Sequence, residues 1–239
     1  SINFETDLLF KLISLEEVIL ILSPDLALLG YLENYNDFMW NRKWRKVDDF
    51  ELSISRKKYV SRFLQLDNYI AVKQGDAVHA GRIKSRELKK DKDSENITVS
   101  GKGLGEIFEN RIAFHNTQTD DGYDTFSGSA ESAMKYYIKN NVVNPEDTSR
   151  MVSNLSIDTD TNKGSTINYN ARFQKISEIL YEIAKTTGLG WDIILDLNNK
   201  EFIFKVLSAK IRKEIRLNPE FDSINMINFK EDKSESENT

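Results

Sequence analysis

The first hundred residues carry a succession of short apolar or alternating runs set so close together that few architectures can hold them. "EVILIL" ends at Leu22, "SPDLALLG" follows as a turn and a second run, and "DFELSIS" places Phe50, Leu52 and Ile54 on one face of a strand. "NYIAVK" and "HAGRIKSREL" come next, divided by Gln74-Gly75-Asp76, and "ENITVSG" closes the set after the charged run from Lys89 to Glu95. Parallel neighbours need crossover connections of a dozen or more residues, and these gaps are too short for them. The region is therefore predicted to be an antiparallel β structure. Its basic stretch from Arg82 to Lys92 reads as the outer face and tip of a long hairpin.

A different pattern begins after residue 102. Leu104, Ile107, Phe108 and Ile112 fall at helical spacing, and a polar Gly- and Asp-rich loop is expected from Asn116 to Gly128. Ser127 or Ser129 can cap the next helix, with Glu131 in its first turn and Ala130, Ala133, Met134, Tyr137 and Ile138 as its buried stripe. Asn144-Pro145 ends that helix. "MVSNLSI" reads as a strand, "TINYNA" follows, and a second helix puts Phe173, Ile176, Ile179, Leu180, Ile183 and Ala184 on one side. Burial of six such side chains contributes on the order of 10 kcal/mol before chain entropy is subtracted.

The glycines beside that helix decide whether a phosphate site is present. Gly188 follows the last periodic residue, where a left-handed cap residue ends a helix. A phosphate loop has the opposite order, with glycines before a helix N-terminus, where free amides and the positive dipole end lie. Gly188 and Gly190 are thus read as a corner that leads into a hairpin: Trp191, Ile193 and Leu195 alternate, Asn198-Asn199 tolerates positive φ, and Phe202, Phe204 and Val206 return.

Gly101, Gly103 and Gly105 do follow a strand and open a helix, but Glu106 stands where a dinucleotide fingerprint needs a small residue, and no βαβ unit follows. A glycine-eased turn is the preferred reading. Asp158 to Gly164, "DTDTNKG", spaces oxygen ligands like a calcium loop, yet its sixth place is Lys163 and its twelfth is Tyr169, where glycine and glutamate are required. It is read as a solvated turn, and so is "TDDGYD" from Thr119 to Asp124.

Trp40 to Lys46, "WNRKWRK", interleaves aromatics and cations as single-strand grooves do. At period two, however, Trp40 and Trp44 share a face with Phe38, which suits a half-buried strand. The net charge of −5 also disfavours a binder of phosphate backbones or anionic membranes. With 39% apolar residues in a chain of 239, a sizeable core is affordable.

The absence of cysteine excludes disulfides, thiolate metal sites and cysteine nucleophiles. His79 and His115, the two histidines, are far apart and have no metal-ligand spacing to a partner. Carboxylate pairs stay open, because sequence does not show which of them converge. "VILILSPDLALLGYL" is broken after five apolar residues and lacks a basic lead, so neither a membrane span nor a signal peptide is expected, and the chain is read as soluble and cytosolically made. No catalytic, cofactor-binding or metal residue is singled out.

Taken in order, "VSGKGLGEIFENRIAFHN", "YDTFSGSAESAMKYYIKNNVVNPEDTSRMVSNLSI", the stretch from Ser165 to Lys210 and "NPEFDSINMINF" resemble the ReqiPepy-type siphovirus tail proteins. "SPDLALLGYLENYNDFMWNRKWRKVDDFELSIS" fits more loosely, for a coverage of about residues 17 to 229, and residues 1–14 have no counterpart. The resemblance implies an α+β chain: a tube-type antiparallel β-barrel-like domain over 15–102, an inserted α+β domain with two main helices and a β-hairpin over 103–210, and, over 211–239, a strand of an incomplete second β domain with a polar tail. The resemblance also implies that relatives continue with further strands past the closing "KEDKSESENT".

The role implied is that of a structural tail hub or baseplate protein in a phage or prophage tail. It would be made in the host cytoplasm, placed at the distal tail end where it links the tube to the adsorption apparatus, and joined to other tail proteins as a homo-oligomer, a trimer at full length. The resemblance carries no enzyme activity, cofactor, specific nucleic acid or membrane insertion. It assigns architectural positions to Gly188, Gly190, Trp191, Asn144 and Pro145. The alternatives are a tail-associated cell-envelope hydrolase and a single-stranded nucleic-acid-binding module.

Overall fold

Alternation sets the first sheet. In β4 (Asp49–Ser55) Phe50, Leu52 and Ile54 are buried while Glu51 faces out. The computed structural model describes residues 18–92, 94–114 and 122–210. Within them β1 (Ile19–Leu22), β2 (Leu28–Leu32), β3 (Asp37–Asn41), β4, β5 (Tyr69–Gln74), β6 (Ala77–Lys90) and β7 (Glu95–Gly103) form one sheet in the order β2-β1-β5-β6-β7-β4-β3. Every pairing in it is antiparallel, as the short connections require.

The sheet cannot be flat. Its outermost strands, β2 and β3, are consecutive in the chain and are joined by residues 33–36. Six inter-strand gaps of about 4.8 Å would set them some 29 Å apart, whereas five residue steps reach only about 17 Å. The sheet therefore curls into a half-barrel. Its concave side holds Ile19, Ile21, Phe50, Leu52, Ile54, Leu64, Ile70, Ile83, Ile97 and Val99, and a 3-10 turn at Tyr59–Phe63 packs beside β2.

β1 is buried on both faces. Ile19 and Ile21 point into the curl, and Leu20 and Leu22 join a second core on the convex side with Ala71 and Ala80. Described residues after β7 cover that side. A single helical turn, α1 (Glu106–Glu109), inserts Phe108 between Trp191 and Phe204. β8 (Asp124–Ser129) leads into α2 (Ala130–Ile138), which is capped by Ser129 Oγ accepting from the amide of Ser132. A π turn at Lys139–Val143 ends at Asn144, as the following proline demands. β9 (Leu155–Ile157) and β10 (Thr166–Ala171) follow, then α3 (Ile176–Thr187), β11 (Gly190–Asp196) and β12 (Glu201–Leu207). β10 pairs with β8, and β12 lies between β11 and β9, parallel to β9. The class is α+β, as expected.

Several local expectations are corrected. Part of the loop expected from Asn116 to Gly128 is strand β8, which offers one apolar side chain, Phe126, among hydroxyls and so lacks the usual signal; residues 116–121 lie outside the described residues. Ile112 is not helical. The backbone leaves α1 because the amide of Ala113 donates to the carbonyl of Gln174 and that of Ile176 to Arg111, which puts Ile112 in a bridge opposite Lys175. Phe173 is not on the helical stripe; it has φ of 52° and is 47% exposed ahead of α3. In the β11–β12 turn the positive φ falls on Lys200, and Asn198 and Asn199 instead donate amides to Asp196. The segment 211–239 lies outside the described residues.

Gly188 caps α3 with φ of 76°, its amide donating to the carbonyl of Ala184. Gly105 is needed for contact: a Cβ there would meet the Trp191 ring at 2.8 Å. Gly101 lies against Phe50 and the Arg82 carbonyl in the same way, so the glycine tract serves packing.

Candidate functional site

Among the described residues, buried charged groups converge at two places, and the first grows out of the Trp40–Lys46 stretch. β3 ends at Asn41, so Trp44 does not share the face of Phe38 and Trp40 as expected. The chain instead turns across the top of the sheet. Trp44 lays its ring against Gly190, where a Cβ would fall 2.5 Å from it, and the Trp191 amide donates to the Trp44 carbonyl.

That turn carries Arg42 to the joint between the sheet and β11. Its Nε lies 2.8 Å from Asp48 Oδ2, its Nη2 lies 2.8 Å from Asp192 Oδ2, and Nη1 donates to Gln74 Oε1 at 3.3 Å. Asp48 also accepts from the Trp40 indole at 3.1 Å and the Lys43 amide at 2.8 Å. His79, buried on β6, places Nδ1 at 3.4 Å from Asp192 Oδ2.

Burial pushes both carboxyls above the usual aspartate range, with Arg42 pulling the other way. Burial first, and then the Arg42 charge, lower His79 to about 4, so its imidazole is neutral at pH 7. The cavity beside the cluster is about 20 Å³, room for about one water. A neighbouring groove of about 210 Å³, lined by Phe38, Trp40 and Val72 among others, presents no carboxylate, and Tyr35 supplies the one hydroxyl of its lining. Two carboxylates and Gln74 tied to one guanidinium hold the turn after β3, β5 and β11 together.

The second cluster surrounds Glu131 of α2, which is fully buried. The loop read as a solvated turn, Asp158 to Gly164, wraps it. Glu131 Oε2 accepts from the Thr161 amide at 3.2 Å, the Thr161 hydroxyl at 2.9 Å and the Lys163 amide at 2.8 Å. Oε1 accepts from Lys135 Nζ at 2.7 Å and Lys163 Nζ at 3.2 Å. Lys135 donates further to the carbonyls of Asp158 and Thr159 and pairs with the Asp158 carboxylate.

Burial opposes ionisation of Glu131, but these donors outweigh it and hold its pKa at about 2. The loop thus turns its amides inward onto an anion, the reverse of a calcium loop. Among the described residues no group of three or more His, Asp or Glu side chains is placed to hold a metal ion.

The remaining candidates resolve simply. Three of the four cations of Trp40–Lys46 have partners within the fold: Arg42 joins the two aspartates, Lys43 pairs with Asp49 and Lys46 lies 5.0 Å from the Tyr181 ring, whereas the buried Nε of Arg45 has no hydrogen-bond partner among the described residues; Trp40 stacks on Phe50. Of the Arg82–Lys92 stretch, residues 84–92 are the exposed end of the β6–β7 hairpin, as read, while Ile83 is buried in the concave core. Asp124 accepts from the Tyr136 hydroxyl at 2.8 Å, while residues 119–121 of its motif and His115 lie outside the described residues. Sequence reasoning missed Asp48 with Asp192, which are brought together over a long separation. It placed Glu131 without seeing its burial, for which the Lys135 four residues on was the available signal.

The family model of the Siphovirus ReqiPepy6 Gp37-like protein matches residues 18–239. The chain belongs to that family. The resemblance read from the residues to this siphovirus family is thereby borne out. No curated protein matches the Gp37-like chain. Among solved structures it is similar to the prophage tail protein gp18 from Listeria monocytogenes EGD-e, with a TM-score of 0.47, 11% identity, and 79% of this chain and 50% of that one covered. The tail protein from Neisseria meningitidis MC58 gives 0.45 at 14% identity over 78% and 49%. The 43 kDa tail protein of prophage MuSo2 from Shewanella oneidensis gives 0.46 at 13% over 79% and 54%. The Gp37-like chain spans about half the length of these proteins. Among its described residues no helix is long and apolar enough to cross a membrane.

Proposed function

We propose that the chain is a hub or baseplate subunit at the distal end of a phage or prophage tail, working by packing and self-association rather than by catalysis. In this reading residues 15–102 are the tube-type module and 103–210 an inserted α+β module. Identical subunits, three of them on the expectation drawn from the resemblance, surround the tail axis and contact neighbouring tail proteins.

One observation carries the reading: both edges of the curled sheet, β2 and β3, have no second strand partner among the described residues, while the buried charges are tied to one another inside the fold. A half-barrel with open edges is completed by association. Immunogold labelling of virions with an antibody to this chain is expected to mark the tail tip. Virions labelled elsewhere, or not at all, would refute the assignment. A purified chain that cleaves peptidoglycan, and loses that activity on one Asp or Glu substitution without unfolding, would favour the hydrolase instead.

A further inference from the structure

The two open edges differ in chemistry. Beside β2 lies a groove of about 520 Å³, lined by Tyr31, Tyr59, Val60 and Phe63 and rimmed by Lys58. Tyr59 is 68% exposed and carries Arg62 3.5 Å from its ring. Lys57, Lys58 and Arg62 form no ion pair with a described residue, and Glu33 is the acid on this rim. The other edge is acidic around an apolar knob. Asp37, Met39 and Asn41 face outward from β3, Glu51 stands opposite Met39 on β4, and Met39 is 51% exposed. Asp37 and Glu51 likewise form no ion pair among the described residues.

The geometry points to the β3 edge of a second copy of this chain as the occupant of the β2 groove. This rests on the self-association named above and says which faces meet. Charge selects it: pairing β2 with β2, or β3 with β3, across a twofold axis would bring like charges together, while β2 with β3 brings opposite ones together. Such a contact is head-to-tail, and it closes into a ring when the rotation permits.

The test is sedimentation of the 239-residue chain and its variants at low and high ionic strength, with thermal melts to confirm folding. The native chain associates in low salt and dissociates in high salt. Lys58→Glu with Arg62→Glu, and separately Asp37→Lys with Glu51→Lys, each give monomers. A chain carrying all four changes associates again, and the two double variants associate when mixed. A native chain that stays monomeric at every concentration and salt, or double variants that associate as well as the native chain, would overturn the proposal. Its failure is distinguishable from failure of the tail assignment: edge variants still incorporated at the labelled tail tip refute the edge contact alone, whereas absence of the native chain from the tip refutes the assignment whatever the sedimentation shows.

Discussion

Two clusters of buried charge in one chain meet the same burial penalty and end with pKa shifts of opposite sign. Glu131 is wholly buried, yet its pKa falls to about 2, whereas Asp48 and Asp192, beside Arg42, are raised. The difference lies in donor supply. Glu131 receives two ammonium groups, two amides and a hydroxyl; Asp48 and Asp192 divide one guanidinium, and Asp192 has a neutral imidazole beside it. A carboxylate ringed by donors is a fixed structural charge. One that shares its cation is held in place but remains titratable.

The sharpest way to break this contrast is Glu131→Ala. It leaves the amides of Thr161 and Lys163 without their acceptor and takes from Lys135 one of its two carboxylate partners, and is expected to lower stability by about 3–5 kcal/mol in urea unfolding; a loss below about 1 kcal/mol would mean that water reaches the site. Arg42→Ala should have a smaller effect, about 2 kcal/mol at pH 7, because both aspartates can take up protons. That loss should shrink when the same titration is run near pH 4, where the repulsion is relieved; a loss independent of pH would show that Arg42 acts through packing.

The pH profile of the native chain sharpens the comparison further. The depressed Glu131 contributes stability above its unfolded value near 4.5, lost as pH falls toward 2. His79, lowered to about 4, likewise withdraws stability as pH falls from about 6.5 toward 4. The raised aspartates act oppositely, binding protons more readily folded than unfolded, so their protonation favours the fold as pH drops toward 3.8. Melts between pH 2 and 7 should therefore fall more steeply below pH 4.5 in the native chain than in Glu131→Gln, and parallel curves would contradict the assignment of the low pKa.

Two milder substitutions give a baseline outside both clusters. Gly188→Ala meets no atom within 4 Å, so its expected loss of about 1–2 kcal/mol is purely backbone strain at φ of 76°. Lys43→Ala breaks an exposed pair with Asp49 and should change stability by less than about 0.5 kcal/mol. Thermal unfolding that ranks Lys43 above Gly188 would reverse the order drawn from burial.

Local signals in the sequence made much of the fold legible. The alternation of Phe50, Leu52 and Ile54, the Ser129 cap, the Gly188 stop and the Trp191-to-Val206 hairpin are decided within a few residues of themselves, and each appears where the spacing puts it. What escaped was decided from afar. Trp44 looks like a strand residue until Gly190 offers it a place, and Ile112 looks helical until the backbone at Gln174 and Ile176 draws it away. The meeting of Asp48 with Asp192 depends on docking between layers, which no short window encodes. Glu131 is the instructive case: a helix-start glutamate is ordinarily solvated, and only the loop that later folds around it makes it internal.

The doubly covered strand β1 has a bearing on how the protein is made. Leu20 and Leu22 belong to a core that residues as late as Val206 complete, so the half-barrel emerges from the ribosome roughly 100 residues ahead of that core's last strand. At synthesis rates of about 5–20 residues per second, a greasy outer wall stays bare for about 5–20 s. A nascent chain of this kind invites a chaperone before it meets its own second half.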